Sequence, residues 1–141
     1  MKAIDTLIRL RQQALDQQRQ ALAALQARRA GVENERAALE TRLVEEQALA
    51  ASEPDLMFGY GGFARKVIVE RQRLSQLATE LDGEIDTAII DVRAAFAELR
   101  KFEIARDRRL QRELEERERA EQKAVDDLTI SRLRHRTLQE R

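Results

Sequence analysis

SEPDLMFGYGGFA, residues 52–64, is the one interruption in a chain otherwise rich in Ala, Leu, Gln, Glu and Arg. It holds the only proline, Pro54, three of the five glycines (Gly59, Gly61, Gly62) and three of the five aromatics (Phe58, Tyr60, Phe63). Proline removes a backbone donor and clashes with the turn before it, and glycine enters left-handed backbone at little cost. The stretch therefore predicts a reversal, an apolar Gly/Pro loop over about 52–63. It divides the chain into a first helix of about 2–51 and a second of about 64–138. Long helices need a partner face, and here each has only the other. The expected fold is all-α: one antiparallel two-helix coiled-coil hairpin over 1–141, with unequal arms and an overhanging C-terminal helix.

Outward from the reversal, both arms carry a heptad stripe. The first reads Met1, Ile4, Ile8, Arg11, Leu15, Gln18, Leu22, Leu25, Arg29, Val32, Arg36, Leu39, Leu43, Glu46, Ala50. The second reads Val67, Arg71, Leu74, Ala78, Leu81, Ile85, Ala88, Val92, Ala95, Leu99, Phe102, Arg106. Steps of four and three residues keep one stripe turned towards a partner helix. The polar members weaken the seam, and their long stems can pack while the charged ends reach water. Past Arg106 the phase slips to Leu110, Leu114, Arg117, Glu121, Ala124 and Leu128, a stutter. With the reversal centred near Phe58, Met1 falls opposite roughly residue 115. Residues 116–141 then overhang as a single helix of about 35 Å. Gly31 and Gly83 fall at nearly the same level, where they mark either a close backbone approach or a paired weak point.

The bulk numbers agree with a coiled coil and exclude several functions. Charged residues are 37% of the 141 and aromatics 4%, with no tryptophan, too little for a thick core. The 26 basic residues balance 26 acidic ones, so no net field draws the chain to nucleic acid or an anionic membrane. The absence of cysteine removes disulfides and thiolate metal sites. No apolar run reaches the ~18 residues of a membrane span. The glycine-rich loop lacks the Gly-Lys-Ser/Thr of a phosphate cradle. His135 is the only histidine, and no pocket raises a carboxylate towards acid-base work. No catalytic, cofactor or metal residues are expected, and the chain is read as a binding protein rather than an enzyme.

Two groups of side chains are candidate partner contacts. Leu56, Met57, Phe58, Tyr60 and Phe63 crowd the tip of the hairpin, either plugging its end or standing exposed as a docking patch. Ile68 and Val69 extend that patch, because a two-stranded seam cannot bury all of Val67, Ile68 and Val69 when successive residues point about 100° apart. Ile89 or Ile90, with Phe96, gives a further strip. In the tail, Ala124, Leu128, Ile130 and Leu133 give a short apolar face within mixed charge, suited to a ring-shaped or grooved partner.

These residues, in this order, resemble the FliJ family, small coiled-coil proteins of the bacterial flagellar type III export apparatus. The resemblance rests on Leu7-Ile8-Arg9-Leu10-Arg11 with Leu15-Asp16 and then Leu22 to Leu25. It continues in Tyr60-Gly61-Gly62-Phe63-Ala64, in Phe96-Ala97-Glu98-Leu99-Arg100-Lys101-Phe102-Glu103, and in Glu121-Gln122-Lys123 with Asp126-Asp127-Leu128 and Arg132. It implies a hairpin like the central stalk of rotary ATPases, cytoplasmic and peripherally associated with the export apparatus at the inner membrane. The implied partners are the export ATPase hexamer, the cytoplasmic domain of the export gate membrane protein, and export chaperones with their substrates. On this reading Glu121, Lys123, Ala124, Asp126, Asp127, Leu128 and Arg132 meet the ATPase ring. The reversal residues Leu56, Met57, Phe58, Tyr60, Phe63, Ile68 and Val69 meet the gate. Stalk proteins of virulence secretion systems look alike, so flagellar and virulence export both stay open. A general coiled-coil scaffold is the alternative from another class. A nucleic-acid-binding helical arm is disfavoured by zero net charge.

Overall fold

The computed structural model describes residues 2–140; Met1, Arg141 and the side chain of Leu56 lie outside the described residues. Two long helices carry the chain, α1 (Lys2–Ser52) and α2 (Met57–Glu140), joined through a 3-10 turn at Pro54–Leu56. No strand occurs among the described residues. α1 closes on itself at its end. The Glu53 backbone N–H and the Ser52 hydroxyl both donate to the Leu49 carbonyl, at 3.0 and 3.1 Å. Glu53 then turns extended (φ −129°, ψ 106°), the conformation favoured ahead of proline, and Pro54 opens the turn, where its missing donor costs nothing.

The reversal is shorter than the sequence predicts. α2 starts at Met57, not near Ala64, so Gly59, Gly61 and Gly62 lie inside a helix and none has positive φ. The expectation treated glycine as a breaker equal to proline. Glycine keeps its N–H and costs only about 1 kcal/mol per position in a helix, against about 3 for proline. A helix packed from Val67 onward therefore extends back through all three. Only Pro54, with its fixed φ, stops it.

Contacts group the chain into two units, Gln12–Ala97 and Met1–Arg11 with Glu98–Arg141. In Gln12–Ala97 the helices run antiparallel around a cluster of Val32, Leu74, Ala78 and Leu81, with Leu25, Leu39 and Leu77 packed on it. Arg29 bonds Asp82 at 2.8 Å and Arg71 bonds Glu40 through two contacts of 2.6 Å. Both pairs sum to 111, so the register is centred between Asp55 and Leu56 rather than near Phe58. The shift follows from the shorter joint.

In the other unit Ile8 and Leu99 are buried and the Arg11 guanidinium lies 5.6 Å above the Phe102 ring. Arg11 is exposed despite its seam position, so its stem spans the stripe while the charge sits on an aromatic face. Glu113 is the last half-buried residue; every described residue from 114 to 140 is exposed. Leu110 and Leu114, expected to carry a shifted seam, are about half exposed.

All ten buried apolar residues lie on the two predicted stripes, and among the described residues no polar residue is buried. The predicted polar seam positions behave differently. Arg29 and Arg36 are half-buried, and both bond Glu33. Glu46 and Arg71 are exposed. Gly31 and Gly83 make no close approach, since an added Cβ at either meets nothing within 4 Å.

Two predictions follow the packing and the ion pairs. Leu74 is 1% exposed at the centre of the cluster, so Leu74→Ala should lower unfolding free energy by about 2–4 kcal/mol in a denaturant titration. Leu114→Ala, at an exposed position, should stay within about 0.5 kcal/mol of the parent. The Arg71 guanidinium holds the Glu40 carboxyl below the usual carboxylate value, as Arg29 and Arg36 do for Glu33 and Arg73 for Glu70. A depressed carboxylate stabilises the fold above its unfolded pKa, and that stability is lost as pH falls through the depressed value. The melting temperature should therefore fall on acidification below the ordinary carboxylate value of 4.5. Glu40→Gln should flatten part of the fall, and high salt should do the same by screening exposed pairs.

Candidate functional site

The predicted tip patch lies on the first four turns of α2 rather than on a loop, and helical geometry divides it. Taking Val67 as the seam direction, Tyr60 and Phe63 fall within about 40° of it. Both are half-buried. Phe63 packs beneath Arg42 of α1, whose guanidinium lies 5.6 Å from the ring centroid. Met57 and Ile68, eleven residues apart, share one flank within about 20° and are 61% and 53% exposed. Phe58 and Val69, also eleven apart, share the outer face and are 96% and 64% exposed. The two sequence readings thus each describe part of the group. Tyr60 and Phe63 close the seam; Phe58, Val69, Met57 and Ile68 stand in solvent.

Beside Phe63 an open groove of about 610 Å³ runs between the helices, lined by Leu39, Arg42, Phe63, Lys66, Val67 and Glu70 with Arg65 and Val69 on its edge. Its cations, Arg42, Arg65 and Lys66, were not among the predicted site residues. Arg42 could be found only through the register, because its partner Phe63 lies twenty-one positions away in sequence. Glu70 is the one carboxylate in the lining, and Arg73 already bonds it.

The tail residues Glu121, Lys123, Ala124, Asp126, Asp127, Leu128 and Arg132 are all exposed on α2. Gln122 donates to Asp126 at 3.0 Å and Gln139 bonds His135 at 3.1 Å. Among the described residues no ion pair involves any residue beyond Glu113. The apolar face differs from expectation. Ile130 is two residues from Leu128 and points about 200° away, so the two cannot share a face. Leu110, Leu114, Val125 and Leu128 instead fall within about 60° of arc, all roughly half exposed. Val125 was missed because it adjoins Ala124 and breaks the strict heptad count. In the Gln12–Ala97 unit, Ile89 and Phe96 share a flank, whereas Ile90, 63% exposed, lies apart from them.

Among the described residues no group of three or more His, Cys, Asp or Glu could hold a metal ion, and no helix is long and apolar enough to cross a membrane. The sequence model of the family described as Flagellar FliJ protein matches residues 1–138. The chain belongs to the FliJ family. As a FliJ-family member it is a helical coiled-coil component of the flagellar protein export apparatus. The match is to the flagellar family, the first of the two export systems left open by the sequence. Comparison with curated proteins gave no match, and neither did comparison with solved structures.

The division of the tip patch has a direct check. Phe58→Ser should leave the melting temperature nearly unchanged, because its side chain is 96% exposed. Phe63→Ser removes the Arg42 contact and half-buried ring area, and should lower stability by about 1–2 kcal/mol. Equal effects from the two substitutions would show that the helix does not hold them on opposite sides.

Proposed function

We propose that this chain is the stalk of the flagellar export machinery, binding the export ATPase hexamer and linking it to the export gate and to substrate-chaperone complexes. The observation that carries the reading is the exposure of every described residue from 114 to 140. Twenty-seven helical residues at about 1.5 Å rise give some 40 Å of helix without a partner from α1. A single helix is slender enough for the central opening of a ring. Leu114, Val125 and Leu128 provide a narrow apolar strip, and Glu121, Lys123, Asp126, Asp127 and Arg132 surround it with both signs of charge. Such a surface makes many weak contacts rather than one tight one, as a shaft touching several subunits requires. At the reversal end, Met57, Phe58, Ile68 and Val69 form the exposed apolar group assigned to the cytoplasmic domain of the gate protein. No catalytic role is assigned to any residue. The site of action is the cytoplasmic face of the inner membrane, reached by association and not by insertion.

A general scaffold would need only the seam, and the two readings part on the unpaired helix. Deleting residues 121–141 should leave most of the coiled-coil stability, since no described residue there is buried. The same deletion should abolish stimulation of the export ATPase's assembly or turnover. Charge reversal at Lys123 and Arg132 should reduce it in part, with a smaller effect at high salt. Full stimulation by the truncated chain would remove the ring contact from the tail and leave the scaffold reading.

A further inference from the structure

Gly59, Gly61 and Gly62 sit in regular helix, yet nothing in the structure requires glycine at any of them. None has positive φ, so no left-handed backbone demands the missing Cβ. A Cβ added at each meets nothing within 4 Å, so no close packing demands it. Nor do they open one groove for a partner's backbone, because they spread over about 160° of the helix circumference. What remains is their effect on the helix itself. Three glycines in four positions each shift the local equilibrium away from helix about fivefold relative to alanine.

The rest of the segment gives the helix little to hold. Phe58 and Met57 are mostly exposed, and only Tyr60 and Phe63 are turned to the seam. The first buried residue of α2 is Val67. Pro54 keeps α1 separate, so melting this segment leaves the α1 terminus, closed on the Leu49 carbonyl, intact.

We propose that residues 57–63 are a conditional helix, an independently melting first segment of α2 that switches between helix and an eleven-residue open loop over 53–63. As helix, it holds Phe58 about 160° away from Tyr60, so the two aromatics cannot meet one surface. Unwound, Met57, Phe58, Tyr60 and Phe63 are free to gather on a single apolar site of a partner. Tyr60 and Phe63, turned to the seam in the helix, then join the already exposed Met57 and Phe58 only on melting. This deepens the reading of that end as a partner contact, but the switch itself is measurable without any partner.

Hydrogen exchange on the full-length chain, followed residue by residue, tests it. Amides of 60–63, which have helical acceptors one turn back, should exchange at least tenfold faster than those of the Val67 to Leu99 seam, through a local opening. The triple variant Gly59→Ala, Gly61→Ala, Gly62→Ala, for which space exists at each position, should slow exchange in 60–63 by up to a hundredfold. Exchange across the seam should barely change. Gly83→Ala, a helical glycine with equally open surroundings, should leave 60–63 as in the parent. Parent amides in 60–63 as protected as those of the seam would overturn the proposal. So would a triple variant that slows exchange equally along the whole chain, since the segment would then melt only with the fold.

Discussion

A seam between two helices has room for one apolar stripe from each, and everything else in this molecule follows from that narrowness. Among the described residues ten are buried, none of them polar, and several of the largest apolar side chains stay in water. Hydrophobic burial along the seam fixes the pairing of α1 with α2, while the remaining circumference of each helix is left free for solvation or partners. Among the described residues the grooves between and along the helices are open to solvent. The pKa shifts that do occur come from exposed arginine-carboxylate pairs such as Arg71 with Glu40, not from burial.

The arginines on the stripe show how a polar residue survives there. Arg29 reaches across to Asp82 while bonding Glu33 on its own helix. Arg11 lays its charge over Phe102, and Arg42, just off the stripe, lays its own over Phe63. In each case the aliphatic stem covers apolar surface and the head finds a carboxylate or an aromatic face.

Which residues would be buried was legible in the heptad pattern, because a 4-then-3 spacing has only one solution for two packed helices. Ile8, Leu15, Val32, Leu74, Leu81 and Leu99 could each be read directly from it. The position of the reversal was not, since glycine and proline were weighed alike although only proline forbids helix geometry. That one error moved the register centre from Phe58 to the bond between Asp55 and Leu56. The candidate tip residues were found by their apolar character, but their separation onto inner and outer faces needed the helix to be continued back to Met57. Arg42 was invisible for a related reason: a contact across the seam can be named only after the register is known. In the tail, reading Ile130 with Leu128 ignored the angle between neighbours on a helix, and Val125 was overlooked.

Residues 57–63 number seven, which is the length of one heptad. If that segment is unwound, α2 can slide along α1 by one repeat, with Ala64 taking the position now held by Met57. Stripe would still meet stripe, so apolar burial alone distinguishes the two registers poorly. The Arg71–Glu40 pair would be lost, because Glu40 would meet Ala78, whereas Asp82 would exchange Arg29 for Arg36. Exposed ion pairs add little to stability, and of these two only Arg71 with Glu40 favours the observed alignment over the shifted one.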